Sequence, residues 1–228
     1  MTSPAVDWSS VRLVVFGVEG VLYDPGKLRW RMARDMALHT LTRRSLRAVR
    51  VVARYRSLRD RHGTAGPAVS QTALIIETAA ATGVPADEVR RIAQDWLERR
   101  PLRHLAACRA PGVAAVMDGM RRAGLTVTAW SDAPVLAKLD ALRLTAEFMV
   151  CAGDPGVGLL KPDPRGLHVL MAQACVSAEH TILIGAAPDL DGEAARKAGV
   201  RVLIRSSRPW PGWECFTGFD DPVFPPFV

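Results

Sequence analysis

The side chains of this chain that could do chemistry sit in four short segments. Three of them directly follow an apolar run. After residues 11–16 comes Gly17-Val18-Glu19-Gly20-Val21-Leu22, and after 125–130 comes Ser131-Asp132. After 181–184 come Ala186, Asp189 and Asp191, and Lys161 lies in a Gly-Leu-Leu-Lys-Pro-Asp-Pro segment that starts at Gly158. Glu19 and Asp132 are acids at the mouth of the expected cleft. They are either proton donors and acceptors for a bound substrate or solvated loop acids. Ser131 is placed to cap a helix starting at Ala133. Lys161 and Asp191 are candidates for a fold-maintaining ion pair, since removal of one buried partner would strand the other's charge.

The elements that must position these residues follow from periodicity and punctuation. From residue 110 onward strands alternate with helices, which is the pattern of a doubly wound α/β parallel sheet. Helices are predicted over 111–123, 133–142 and 164–174, and a further strand over 200–204. In such a fold sites lie at the carboxyl ends of the strands. Between the first two site-bearing strands the sequence reads as all-helical. The division is then a discontinuous core, 1–24 with 109–228, and a helical insertion, 25–108. Gly63, Gly66, Pro67, Gly83 and Pro85 punctuate the insertion. Residues 87–99 form its clearest short helix, and Pro101 follows it.

In this order, the four segments resemble the motifs of the haloacid dehalogenase superfamily. The apolar strand ending in Gly17-x-Glu19-Gly20-Val21-Leu22 is similar to that family's Asp-x-Asp-Gly-(Thr/Val)-Leu. Ser131 matches the phosphate-holding Ser/Thr, Lys161 the motif lysine, and Gly185 to Asp191 the Gly-Asp-Ser-x-x-x-Asp loop. The resemblance spans about residues 11–204. It implies a Rossmann-like core with a helical cap that closes over the site and sets substrate choice. It also implies a nucleophilic carboxylate at position 17 and a metal-binding one at 186, where this chain has Gly17 and Ala186. Without the first no aspartyl intermediate forms. Loss of a covalent nucleophile costs on the order of 10⁴ to 10⁶ in rate. With both gone, Mg²⁺ loses its two direct side-chain ligands, so no cofactor is expected, and Mg²⁺ only if activity persists. Asp189 and Asp191 remain as acids that could hold a cation in another way. Ser131 and Lys161 remain as an anion site.

Composition fits one core with a smaller insertion in 228 residues. No apolar stretch is long enough to span a bilayer, and residues 1–10 lack a signal pattern. Cys108, Cys151, Cys175 and Cys215 are widely spaced and read as reduced thiols of a cytoplasmic protein. The net charge of +7 is local. Residues 27–61 hold twelve basic and two acidic residues, leaving 18 basic against 21 acidic elsewhere. Projected as one helix, Arg43, Arg47, Arg50, Arg54 and Arg61 share a stripe, with Leu41, Val49, Val52 and Tyr55 on other sides. That stripe is a solvated face or a docking surface for an acidic protein, a headgroup surface or nucleic acid. No sequence-specific nucleic-acid motif accompanies it. The tail alternates Trp210, Trp213, Phe216, Phe219, Phe224 and Phe227 with Pro209, Pro211, Pro222, Pro225 and Pro226. It cannot be a helix. Either it wraps onto its own core or it docks into a second copy as an arm.

The reading that results is a catalytically degenerate protein that binds rather than hydrolyses, a regulatory or structural subunit engaging a partner through its basic helix. The alternatives are an enzyme using Glu19 or Asp132 for non-covalent acid/base work on an anion held by Ser131 and Lys161, and a residual metal-dependent hydrolase.

Overall fold

Short runs of valine, isoleucine and leucine, too brief for helices, make the centre of the molecule. The computed structural model describes residues 5–65, 68–224 and 227. Gly66 and Pro67 of the punctuation, and Pro225 and Pro226 of the tail, lie outside the described residues. Among the described residues six parallel strands form one sheet: β1 Leu13–Gly17, β2 Thr126–Ser131, β3 Phe148–Cys151, β4 Thr181–Gly185, β5 Arg201–Arg205 and β6 Glu214–Phe216. Their order is β3-β2-β1-β4-β5-β6. β1 is buried along its whole length. Its alternate residues serve opposite faces: Val14 and Phe16 join one core, Leu13 and Val15 another. A parallel sheet needs both faces covered, and here both are. Register sets Gly17 beside Trp130 and Phe16 beside Ile184, so the ends of β1, β2 and β4 align. The chain winds one way from β1 to β2 and β3 and the other way to β4, β5 and β6. The crevice lies at that reversal.

The residues between β1 and β2 are helical: α1 Pro25–Arg43, α2 Arg47–Ala65, α3 Gln71–Thr82, α4 Ala86–Ala93, a π-helical stretch Gln94–Arg99 and α5 Arg100–Leu105. The remaining helices, α6 Val113–Arg122, α7 Leu136–Leu142, α8 Arg165–Ala174 and α9 Glu193–Ala198, alternate with the strands. Asp24 starts α1 by accepting bonds from the Gly26 and Lys27 amides, and Pro25 suits the first turn. Ser70 caps α3, and Gly83, at φ 67°, ends it.

Three expectations need correction. The helix expected over 87–99 is α-helical only to Ala93 and continues as a π-helical stretch. Gly63 does not break the chain but lies inside α2. A Cβ there would meet Leu190 Cδ2 at 2.5 Å, so its bareness admits the β4 loop against the helix. The arginine stripe is not one face of one helix. Arg44 takes a left-handed conformation, φ 47°, which ends α1, so Arg43 is separated from Arg47, Arg50, Arg54 and Arg61. Leu41, on α1, is 75% exposed.

The tail packs on its own chain from Cys215 onward, while Trp210 stays exposed. Phe216, Phe219, Phe224 and Phe227 are buried, with Phe216 and Phe224 edge-on at 5.1 Å. The Trp8 ring lies edge-on to Phe227 at 5.0 Å, and its indole N–H donates to the Val223 carbonyl at 2.7 Å. Each buried ring contributes roughly 1.5–3 kcal/mol over an exposed one. These four rings are therefore not available as an arm for a second copy.

Candidate functional site

The site begins with backbone. At the end of β1 Gly17 presents no side chain, and a Cβ there would lie 3.3 Å from the Ile184 carbonyl and 3.6 Å from Asp191 Oδ1. Gly20, at φ 76°, turns the loop, and a Cβ on it would be 2.8 Å from the Ala186 methyl. Positions 17, 20 and 186 thus form a close-packed floor without functional groups. Arg205 from β5 fixes this loop by donating to the Gly20 and Val21 carbonyls at 3.1 and 3.0 Å. The same guanidinium lies 5.7 Å from the centre of the Phe219 ring.

Around this floor the charged groups pair with each other. Lys161 Nζ donates to Asp191 Oδ1 at 2.7 Å and to the Trp130 carbonyl at 3.3 Å, and lies over the Trp130 ring. Both charged partners are only 6% exposed. Burial lowers the Lys161 pKa, but Asp191, Asp132 and Glu19 overcome it and hold the ammonium above its ordinary 10.5. The second oxygen of Asp191 accepts from the Ala186 and Ala187 amides at 2.9 and 3.0 Å. Asp132 is spent in the same way: Oδ1 accepts from the Lys161 amide at 2.8 Å and Oδ2 pairs with Arg59. Ser131 Oγ accepts from the Ala133 amide at 3.1 Å, a turn cap, since α7 begins only at Leu136. The same hydroxyl donates to Glu19 at 2.9 Å.

Glu19 faces a lysine that the sequence did not point to. Lys138 of α7 is buried, and its Nζ donates to Glu19 Oε1 at 2.5 Å and to Ser131 Oγ at 3.3 Å. Burial raises the Glu19 pKa, but Lys138, Lys161 and the Ser131 hydroxyl outweigh it and hold the carboxyl below its ordinary 4.5. Its side chain keeps 46% of its surface open to the crevice, so it is a wet, ionised acceptor. Asp189, the other residual acid, is exposed and does not line the crevice.

The crevice is a cavity of about 450 Å³ between the strand ends and the helical segment, within the range of small-molecule sites. Leu28, Met32, Ala93, Leu97 and Leu105 give it an apolar wall. Arg29, Arg56 and Arg59 line it together with Glu19, Lys138 and Lys161. Burial, then the neighbouring Arg29 charge, draws the Arg56 pKa below the ordinary guanidinium range. Arg59 Nη1 is buried with no hydrogen-bond partner in the protein. Burial pushes the Tyr55 phenol up to about 12 and the Tyr23 phenol higher still, so both are uncharged donors at neutral pH.

The donor set does not fit Mg²⁺. Gly17 and Ala186 offer no oxygen from a side chain, and Asp191 has one oxygen on an ammonium and the other on two amides. A hard cation needs several free oxygens at octahedral geometry.

The sequence-derived site residues therefore come together in part. Gly17, Glu19, Ser131, Asp132, Lys161, Ala186 and Asp191 meet at the strand ends. The basic residues form separate groups. Arg47 of α2 pairs with Glu88 at 2.8 Å, Arg50 donates to the Thr82 carbonyl at 3.4 Å, and Arg54 Nε is buried. Arg43 and Arg47 line an open hollow of about 600 Å³ with Arg91 and Arg99, apart from the crevice.

Residues 96–204 match the family described as haloacid dehalogenase-like hydrolase. The fold is similar over 92% of this chain to a 2-haloacid dehalogenase from Pseudomonas syringae pv. Tomato, at 18% identity, TM-score 0.64 and 95% of that chain. It is similar over the same share to a predicted phosphoglycolate phosphatase from Haemophilus somnus, at 16% identity, TM-score 0.62 and 95% of that chain. CbbY from Rhodobacter sphaeroides, solved with phosphate, aligns over 92% of this chain and 95% of its own at 15% identity and TM-score 0.60. No curated protein sequence matches the chain. The family match thus covers residues 96–204, and the chain as a whole has the α/β fold of those solved structures. No helix among the described residues is long and apolar enough to cross a membrane.

Proposed function

We propose that this is a catalytically degenerate haloacid dehalogenase-like protein that binds rather than hydrolyses. In this reading it holds a small anionic molecule in the crevice and engages a partner through the basic surface of its helical segment. The observation that carries it is the state of the carboxylates at the strand ends. Positions 17 and 186 have none, and Asp191 is consumed by Lys161 and two amides. The ligand side rests on Arg59 Nη1, a buried donor that needs an acceptor, and on the Arg29–Arg56 repulsion that an anion would relieve. Non-covalent acid/base catalysis is the weaker reading. A group working near neutral pH needs a pKa near it, and Glu19 is displaced the other way.

The test is a direct assay with a bound-ligand readout. Purified protein with Mg²⁺ should turn over p-nitrophenyl phosphate or a 2-haloacid far below about 1 s⁻¹. Mass spectrometry of the native protein should show a retained anion that is lost in Arg59→Met. Turnover at ordinary enzyme rates, abolished by a chelator and by Lys161→Ala, would overturn the reading.

A further inference from the structure

α1 is apolar on two sides. Its inner side buries Leu28 and Met32 against the core. Its outer side leaves Trp30 68%, Leu38 63% and Leu41 75% exposed, with Leu46 just past its end at 62%. Lys27 and Arg34, both exposed, share this outer side, and the Arg34 guanidinium lies 5.9 Å from the Trp30 ring centre. At about 100° per residue, Lys27, Trp30, Arg34, Leu38 and Leu41 fall within an arc of about 80°. Arg43 and Arg44 extend the positive charge to the corner. The single acid of α1, Asp35, is held on the inner side by Arg103 and His104, each at 2.6 Å, and is 11% exposed. Nothing acidic on α1 therefore offsets the outward charge.

We infer that the outer face of α1 is a docking surface for an anionic lipid bilayer, on which the helix lies in the plane of the headgroups. Exposed apolar side chains among basic ones suit the headgroup–acyl boundary. Leucines enter it, a tryptophan sits at its edge, and lysine and arginine stay with the phosphates. A second copy of this chain fits less well, because a symmetric contact would bring Lys27 and Arg34 against like charges. A nucleic acid would gain nothing from Leu38, Leu41 and Leu46. The inference deepens the partner half of the reading above and does not depend on the crevice. Vesicle binding and anion retention report on different faces, so either can fail alone.

The experiment is co-sedimentation with vesicles of phosphatidylcholine containing about 30% phosphatidylserine, against phosphatidylcholine alone. The parent is expected to sediment with the anionic vesicles and not with the neutral ones, and to be released as salt rises. Lys27→Ala with Arg34→Ala should weaken binding about thirty-fold, and Leu38→Ser with Leu41→Ser at least tenfold. Because all four positions are exposed, both variants should keep the parent's melting temperature. Quenching of tryptophan fluorescence by brominated lipid should fall in Trp30→Phe. Failure to sediment with anionic vesicles overturns the inference, as it would if the face took an acidic protein instead. So does binding undiminished in the leucine variant, or a parent dimer that this variant dissociates.

Discussion

The crevice and the outer face of α1 carry similar residues in opposite arrangements. In the crevice Lys138, Lys161 and Arg59 each meet a carboxylate of the same chain, namely Glu19, Asp191 and Asp132. On α1, Lys27 and Arg34 stand beside Trp30, Leu38 and Leu41 and face outward. A charge satisfied internally holds the fold together, whereas a charge left facing water can attract something else. In the proposed reading Glu19, Asp132, Lys161 and Asp191 serve as internal braces. Lys27 and Arg34 instead leave their charge on the outer surface of the helical segment.

The largest effect that sharpens this contrast is expected at Lys161. Lys161→Ala leaves Asp191 buried without its ammonium, and breaking such a pair costs about 3–5 kcal/mol. Denaturant unfolding should show that loss, and Lys161→Met with Asp191→Asn should recover much of it. A cost near zero would mean that the pair does not brace the crevice. Next comes restoration of the missing carboxylates, Gly17→Asp with Ala186→Asp. Tight contact with the Ile184 carbonyl and repulsion from Asp191 should lower stability by about 1–3 kcal/mol without metal. Mg²⁺ should return part of it in the variant and none in the parent. A variant that folds but ignores Mg²⁺ would show that the loops no longer present ligand geometry.

The smallest effect is in acid. The folded Glu19 pKa lies below its ordinary 4.5, so the group contributes stability above that value and loses it as pH falls through the lower folded pKa. Half-exposure screens the contribution, so the loss should be shallow. Urea midpoints of the parent and Glu19→Gln, compared from about pH 6 to about pH 3, should converge toward the acid end. Midpoints that diverge there would mean that Glu19 is not held by Lys138.

Much of the fold was legible because parallel strands buried on both faces are nearly pure apolar runs. β1, β2, β4 and β5 lie within a residue or two of where those runs placed them. The strand-end acids and Ser131 were legible for the same reason, since a site at a strand's carboxyl end is found once the strand is. Lys138 was not, because a lysine on a helix reads as a surface residue until tertiary packing places Glu19 opposite it. The break at Arg44 carried no glycine or proline signal, so two helices projected as one and the basic stripe was drawn across both. β6 is three residues long, among prolines and glycines, too short for any period to register. The π-helical stretch after Ala93 keeps helical composition, so nothing in the sequence marks the change.

Arg205 joins two parts of the chain that are far apart in sequence. Its guanidinium holds the Gly20 and Val21 carbonyls on one side and lies against Phe219 on the other, while Phe219 packs near Phe16 of β1. Loop and tail are thereby one cooperative unit of local opening, because neither can leave its place without exposing the other's partner. Amide exchange in the loop should then follow the free energy of releasing the aromatic tail, and a protease that reaches the tail would also unfasten the floor of the crevice.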